Sequence, residues 1–118
     1  MTDIETTARN LRADVRNAIE HGTLTIPPCV RVTVRVSRRG LLPSVNVYFS
    51  PADETATDDV NAWKYTHQDD NASVLSDAVR TAGTAILALI DKRSDGASYG
   101  EINCNGTVIA IMIPNRNR

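Results

Sequence analysis

Arg31, Thr33 and Arg35 alternate with Val30, Val32, Val34 and Val36, while Asn46 and Tyr48 alternate with Val45, Val47 and Phe49. If these two runs fold back on each other, their polar members share one surface: two guanidiniums, a carboxamide, a hydroxyl and a phenol. Such a set can follow a phosphate backbone and stack on bases. It also suits an acidic protein surface, and an ordinary solvated sheet face would carry the same residues. A second cluster, His67 with Asp69 and Asp70 and with Asp58 and Asp59 upstream, offers imidazole and carboxylates to a divalent cation, but in a polar stretch and without a recognised ligand spacing. His21 stands at the end of an amphipathic segment, where a partly charged imidazole stabilises a helix dipole. Cys29 and Cys104, 75 positions apart, form neither a disulfide framework nor a zinc motif and read as small apolar residues. G-x-S-x-G, Walker, G-x-G-x-x-G and H-E-x-x-H patterns are all missing. The expectation is a non-enzymatic chain with no catalytic residues, no metal and no cofactor.

The elements that must position the polar surface are legible. Residues 30–37 and 44–50 are strands of period two, each with one apolar and one polar face. Pairing Val34 with Val47 places Val36 on Val45 and Val32 on Phe49. A slip of one residue would set Val against Asn, so the register is strongly specified. Ahead of this hairpin, Ile4, Ala8, Leu11, Val15 and Ile19 recur at helical spacing. Thr2-x-x-Glu5 reads as a capping box and Gly22 as the left-handed residue that ends the helix, which spans about 3–21. Arg9, Arg12 and Arg16, with Glu5 and Glu20 four residues away, read as an ion-pair ladder along that helix.

The same plan is expected a second time. Leu75, Val79, Ala82, Ile86 and Leu89/Ile90 predict a helix over about 73–92. Asn105-Gly106 predicts a two-residue type I′ hairpin pairing Ile102 with Ile109 and Gly100 with Ile111. Leu11–Ala18 echoes Leu75–Ala82 at four of eight positions, and Pro51 and Pro114 end the two units. Between them lies an acidic connection over 52–72, with a short helix near 56–63. The fold class is therefore α+β: two long helices on a mainly antiparallel four-stranded sheet, in αββ–αββ order, as one domain over 1–118 (units 1–51 and 73–114).

Composition limits the partners. The 118 residues carry 13 basic and 14 acidic side chains, a net charge of −1. That balance argues against non-specific nucleic-acid binding, which depends on accumulated positive charge. The charge is uneven: +3 over residues 1–50, −5 over 51–70 and +1 over 71–118. The longest apolar runs have six residues, against about 20 for a membrane helix. The acidic start Met1–Glu5 is unlike a secretory leader. A cytoplasmic setting with no membrane contact is expected.

Two places are open to a partner or to further cover by the chain itself. Leu41 and Leu42 fall in the first hairpin's turn, between Arg38-Arg39 and Pro43, where leucines are useful only if something covers them: either they fold back over the edge of the domain's own core or they anchor a partner. The run Val108–Ile113 is apolar on both faces, as in a strand buried on both sides. In the expected register Ile109, Ile111 and Ile113 belong to the core. Val108, Ala110 and Met112 then join Tyr99 on the face shared by Arg31, Arg35 and Tyr48. An apolar centre rimmed by Arg31, Arg35 and Glu101 describes a surface for a protein partner or a second copy of the chain. Nucleic acid on the Arg/Tyr face is the alternative. Equally, the connection at 52–72 could fold across this face and bury it with Trp63 and Tyr65.

Thr6-Thr-Ala-Arg-Asn-Leu-Arg12, Val32-Thr-Val-Arg-Val-Ser-Arg38 and Ser44-Val-Asn-Val-Tyr-Phe49 together resemble one small family. These are the helix–hairpin modules named large polyvalent protein-associated domains, found in phage and plasmid proteins beside anti-restriction domains. The resemblance covers residues 6–50 through short, degenerate motifs. The acidic connection and the second helix–hairpin have no counterpart. The resemblance implies a mobile-element origin and a counter-defence role, such as blocking a restriction or CRISPR effector, and it supplies no catalytic residues.

Overall fold

The computed structural model describes residues 4–68, 73–94 and 98–112, without the side chains of residues 67, 68 and 73. The order is α1 (Ile4–Glu20), β1 (Val30–Ser37), β2 (Ser44–Pro51), α2 (Thr57–Lys64), β3 (Tyr65–Gln68), β4 (Ser73–Leu75), α3 (Asp77–Arg93), β5 (Ser98–Ile102) and β6 (Val108–Met112). The chain is α+β, with a four-stranded antiparallel sheet in the order β1-β2-β6-β5.

α1 buries Ile4, Thr7, Ala8, Leu11 and Val15. It ends in a Schellman motif: Gly22 has φ +76°, its N–H reaches the Ile19 carbonyl, and the Thr23 N–H reaches that of Ala18. Thr2 of the expected capping box lies outside the described residues. Glu5 pairs with Arg38 at 2.9 Å, across to the first hairpin, instead of with Arg9. Arg12 donates to the Val34 carbonyl at 2.9 Å. The expected ladder is thus replaced by contacts to β1 and its turn, because tertiary partners lie within reach of the same side chains.

The first hairpin pairs as its alternation requires: Val34 opposite Val47, Val36 opposite Val45, Val32 opposite Phe49. In the second half the expectation fails in three respects. First, the connection is more ordered than expected: its short helix forms near the expected place, as α2, but β3 and β4 follow it, so among the described residues αββ occurs three times. β3 and β4 form a small separate sheet. α2 lays Trp63 edge-on against Phe49, ring centroids 5.2 Å apart, on the sheet face that carries the core. Second, the third helix starts at Asp77. Ser76 is its N-cap, accepting the Val79 N–H while donating its hydroxyl to the Trp63 carbonyl. Leu75 is a strand residue paired with Tyr65, so it cannot be the equivalent of Leu11. The helices correspond differently: Val79, Ala82, Gly83, Ile86 and Ile90 repeat the buried spacing of Ile4, Thr7, Ala8, Leu11 and Val15.

Third, the second hairpin is displaced by one residue. Ile102 faces Val108, Gly100 faces Ala110 and Ser98 faces Met112. The turn has three residues, not two. The Gly106 N–H bonds to the Asn103 carbonyl, the Asn103 N–H bonds to the Thr107 carbonyl, and Gly106 sits at φ +79°. Asn103 Oδ1 accepts the N–H groups of Asn105 and Thr107, both at 2.9 Å. This is a type I turn followed by a left-handed residue. One residue of slip exchanges the two faces. Val108 and Ala110 are therefore fully buried beneath the helices, while Ile109 and Ile111 are half-buried on the other face.

The core row across the sheet is Val34–Val47–Val108–Ile102, and the next is Val36–Val45–Ala110–Gly100. Helix residues are complementary in size to these rows. Gly83 lies over Ile102, whose Cδ1 would be 2.6 Å from a Cβ there, and Leu87 fills the space above Gly100.

The displaced register predicts opposite outcomes for adjacent residues. Ala110→Arg buries an unpaired charge and should abolish the cooperative thermal transition. Ile109→Arg, on the other face, should leave a folded chain with its melting temperature lowered by no more than several degrees. Thermal unfolding by circular dichroism decides; the reverse ranking would restore the two-residue turn.

Candidate functional site

All three helices pack on the sheet face that bears the core, and among the described residues no element lies over the other. That open face has a regular composition by rows: Ser37–Ser44–Ile111–Tyr99, then Arg35–Asn46–Ile109–Glu101, then Thr33–Tyr48, then Arg31–Ser50. Arg31, Arg35, Tyr48 and Tyr99 lie where the alternation places them. Tyr99 is 60% exposed and Tyr48 37%. Arg31 donates to the Ala52 carbonyl at 3.0 Å, and the Ser44 hydroxyl to Asn46 Oδ1 at 3.3 Å.

The apolar part of the site is corrected. Val108 and Ala110 are core. Met112, half-buried, packs against that core from the same face. Their place on the open face is taken by Ile109 and Ile111, which were expected inside; Ile113 lies outside the described residues. The signal for this was present in the sequence: Asn at the first and Gly at the fourth position of Asn103–Gly106 is the type I pattern.

At the end of the sheet nearest the Ile111–Tyr99 row is the first hairpin's turn. The Met112 N–H donates to the Pro43 carbonyl at 2.9 Å, fixing that turn to β6. Leu41 is fully exposed and Leu42 is 38% exposed. They do not fold back over the core. Arg38 is held by Glu5, and Arg39 is exposed. Trp63 is packed on Phe49, so the connection does not bury the open face with Trp63.

Among the described residues, no three His, Cys, Asp or Glu groups come together. The side chain of His67 and residues Asp69 and Asp70 lie outside the described portion. Cys29 is half-buried against the core and Cys104 is exposed in the second turn. Burial lowers the Lys64 ammonium, and hydrogen bonds from Thr55 lower Asp53. No described helix is long and apolar enough to cross a membrane.

Away from the sheet, Asp14 of α1 holds Arg93 of α3 through two hydrogen bonds of 2.6 and 2.7 Å. The hydrogen bond from Arg93, with its charge, keeps the Asp14 carboxyl below the usual carboxylate range despite partial burial. A lowered folded-state value stabilises the fold above the unfolded pKa, near 4, and the contribution disappears as pH falls through the folded value. The melting temperature of Asp14→Asn should therefore fall below that of the parent at pH 6–7. The gap should close progressively below about pH 4. A gap independent of pH down to 2 would mean that the pair contributes nothing through its charge.

No family model, curated protein or solved structure matches this chain.

Proposed function

We propose that this chain is a protein-binding domain that engages its partner through the open sheet face and the Leu41–Leu42 turn. The observation that carries this reading is Ile109, Ile111 and Tyr99 standing together on a face otherwise made of Ser, Thr, Asn and Arg with Tyr48 and Glu101. A merely solvated antiparallel sheet alternates cleanly to polar residues on its outer side. Here the two central aliphatic side chains are wetted, with tyrosines at 48 and 99 and Arg35 and Glu101 at opposite edges. Apolar centres with aromatic and Arg anchors and a polar rim are the pattern of protein interfaces. Leu41, fully exposed at the adjoining end, extends that surface.

The resemblance of residues 6–50 gives the partner a class: a host defence protein, inhibited by occlusion and not by chemistry. A second reading rests on the β1–β2 half of the face alone. Arg35 beside Asn46 and Thr33 beside Tyr48 supply cations, an amide and a stacking ring for single-stranded nucleic acid. Glu101 and the net charge of −1 weigh against it.

Ile111→Glu tests the first reading, because Ile111 is on the open face and its replacement leaves the core intact. The parent chain, immobilised in host lysate, should retain a specific protein that the folded variant does not. Equal capture by both would remove this face from the interface. Titration with a single-stranded oligonucleotide at 50 and 200 mM salt addresses the second reading, since phosphate contacts weaken steeply with salt. Tight, salt-sensitive binding lost on Tyr48→Ala would favour nucleic acid.

A further inference from the structure

We propose that the groove between α1 and the free edge of β1 accepts an extended acidic segment of a partner protein as an added strand. This site adjoins the open face and shares Arg31 and Arg35 with it, but it does not rest on the reading given for that face.

β1 is an outer strand, eight residues long. The Val34 carbonyl accepts from Arg12, so it points away from β2. Along a strand, residues two apart direct their backbone groups to the same side. Val32 and Val36 therefore present their N–H and C=O groups on the free edge, as does the Val34 N–H. The edge is closed at its start, where the Val30 N–H bonds to the Pro27 carbonyl at 3.0 Å. From Val32 to Val36 it has no Pro and no bulge, and its register on β2 is unbroken. Such an edge is a ready template for another chain unless something blunts it. Here Arg12 holds one carbonyl, in the position an incoming N–H would take.

Beside this edge runs a groove of about 580 Å³, lined by Val15, Ile19, Pro27 and Val32 and carrying Arg12 and Arg16. A strand added to β1 would send alternate side chains to the groove and to the opposite face. On that opposite face stand Arg31 and Arg35, both exposed. Four guanidiniums thus surround one strand edge, and Glu20 is the one carboxylate lining the groove. The fitting segment alternates aliphatic residues, which enter the groove, with acidic ones, which meet Arg31 and Arg35.

Charge also disfavours the other occupants. Two copies of β1 paired antiparallel about Thr33 would set Arg31 opposite Arg35 on each side, and like charges directly opposite destabilise a sheet; paired about Val34 they would still gather four guanidiniums on one face with no carboxylate on either strand. The C-terminal residues 113–118 carry two arginines and no acid.

The test is an NMR titration of the full chain with two blocked octapeptides, (Val-Glu)4 and (Val-Lys)4. The glutamate peptide should bind, shifting the Val32, Val34 and Val36 amides and slowing their hydrogen exchange. The lysine peptide should not bind. Arg35→Glu, an exposed position on β1 that faces the acidic side chains, should weaken binding at least five-fold. Val32→Pro removes one free-edge N–H at a place where an edge strand tolerates proline, and should abolish binding. If Val32→Pro fails to fold, Arg35→Glu decides. Absence of binding at millimolar peptide, equal binding of both peptides, or shifts confined to Tyr48, Tyr99 and Ile109 would each overturn the proposal. So would concentration-dependent dimers that disappear in the proline variant, which would make a second copy the occupant.

Discussion

The five-residue turn Asn103–Thr107 determines what the rest of the sheet can be. It is stabilised by one side chain: Asn103 Oδ1 accepts two backbone N–H groups while Gly106 takes the left-handed conformation that ordinary residues avoid. A three-residue loop, 104–106, closed by the Asn103–Thr107 bond, in place of a two-residue one, sets Ile102 on Val108. The β2–β6 ladder then carries that choice across to Val47 and on to Val34. Every apolar side chain of the core rows is on the helix-covered face only in this register. Gly106 also has no room to be anything larger without cost, since a Cβ there would stand 3.3 Å from Val79 Cγ2. The turn is thereby packed against the start of α3, and hairpin geometry and helix position are fixed together.

The helices meet that sheet by complementarity of size more than by polar contacts. Gly83 accommodates Ile102, and Gly100 accommodates Leu87, so α3 approaches β5 and β6 closely. Ser76 joins α2 to α3 by capping the second helix and donating to the end of the first. Its burial is permissible because the hydroxyl is satisfied in both directions. The cost of placing all three helices on one face is that no described helix remains for the other. The open face follows from the packing solution, and its composition is what distinguishes it from an ordinary wet surface.

How much of this the sequence reveals depends on whether a strand has two different faces. β1 and β2 alternate strictly, so only one register buries valine against valine, and Val34 opposite Val47 is readable without a structure. β6 reads Val-Ile-Ala-Ile-Met. Shifting it by one residue exchanges one apolar set for another, so burial alone cannot choose, and the decision passes to the turn. Asn105-Gly106 invites a type I′ reading, while Asn103 and Gly106 together support type I with a left-handed residue. The side-chain hydrogen bonds of Asn103, not propensity, settle it. The same limit explains Leu75. Its helical spacing to Val79 is real, but Ser76 competes as an N-cap, and pairing with Tyr65 completes the small β3–β4 sheet. Of the candidate site, the Arg31, Arg35, Tyr48 and Tyr99 placements were legible because they follow from period two on β1 and β2 or survive the slip on β5. Val108, Ala110 and Met112 were not, because they depend on the turn.

A strand that is apolar on both sides has a further consequence. β6 lies between β2 and β5, so its backbone is fully paired and its second face is the middle of the open surface, not an edge. Ile109 and Ile111 are flanked there by Asn46 and Ser44 on one side and by Glu101 and Tyr99 on the other. A partner covering them would be stabilised by removing apolar area from water, a force with little directional or salt dependence. The β1 edge offers the opposite: unpaired backbone donors and acceptors with clustered guanidiniums, where direction and charge matter and salt weakens the attraction. The two surfaces share Arg31 and Arg35, which stand on the open face yet belong to the edge strand. An acidic strand seated on β1 would draw on the same two cations that rim the open face, so occupation of one surface would alter the charge presented by the other.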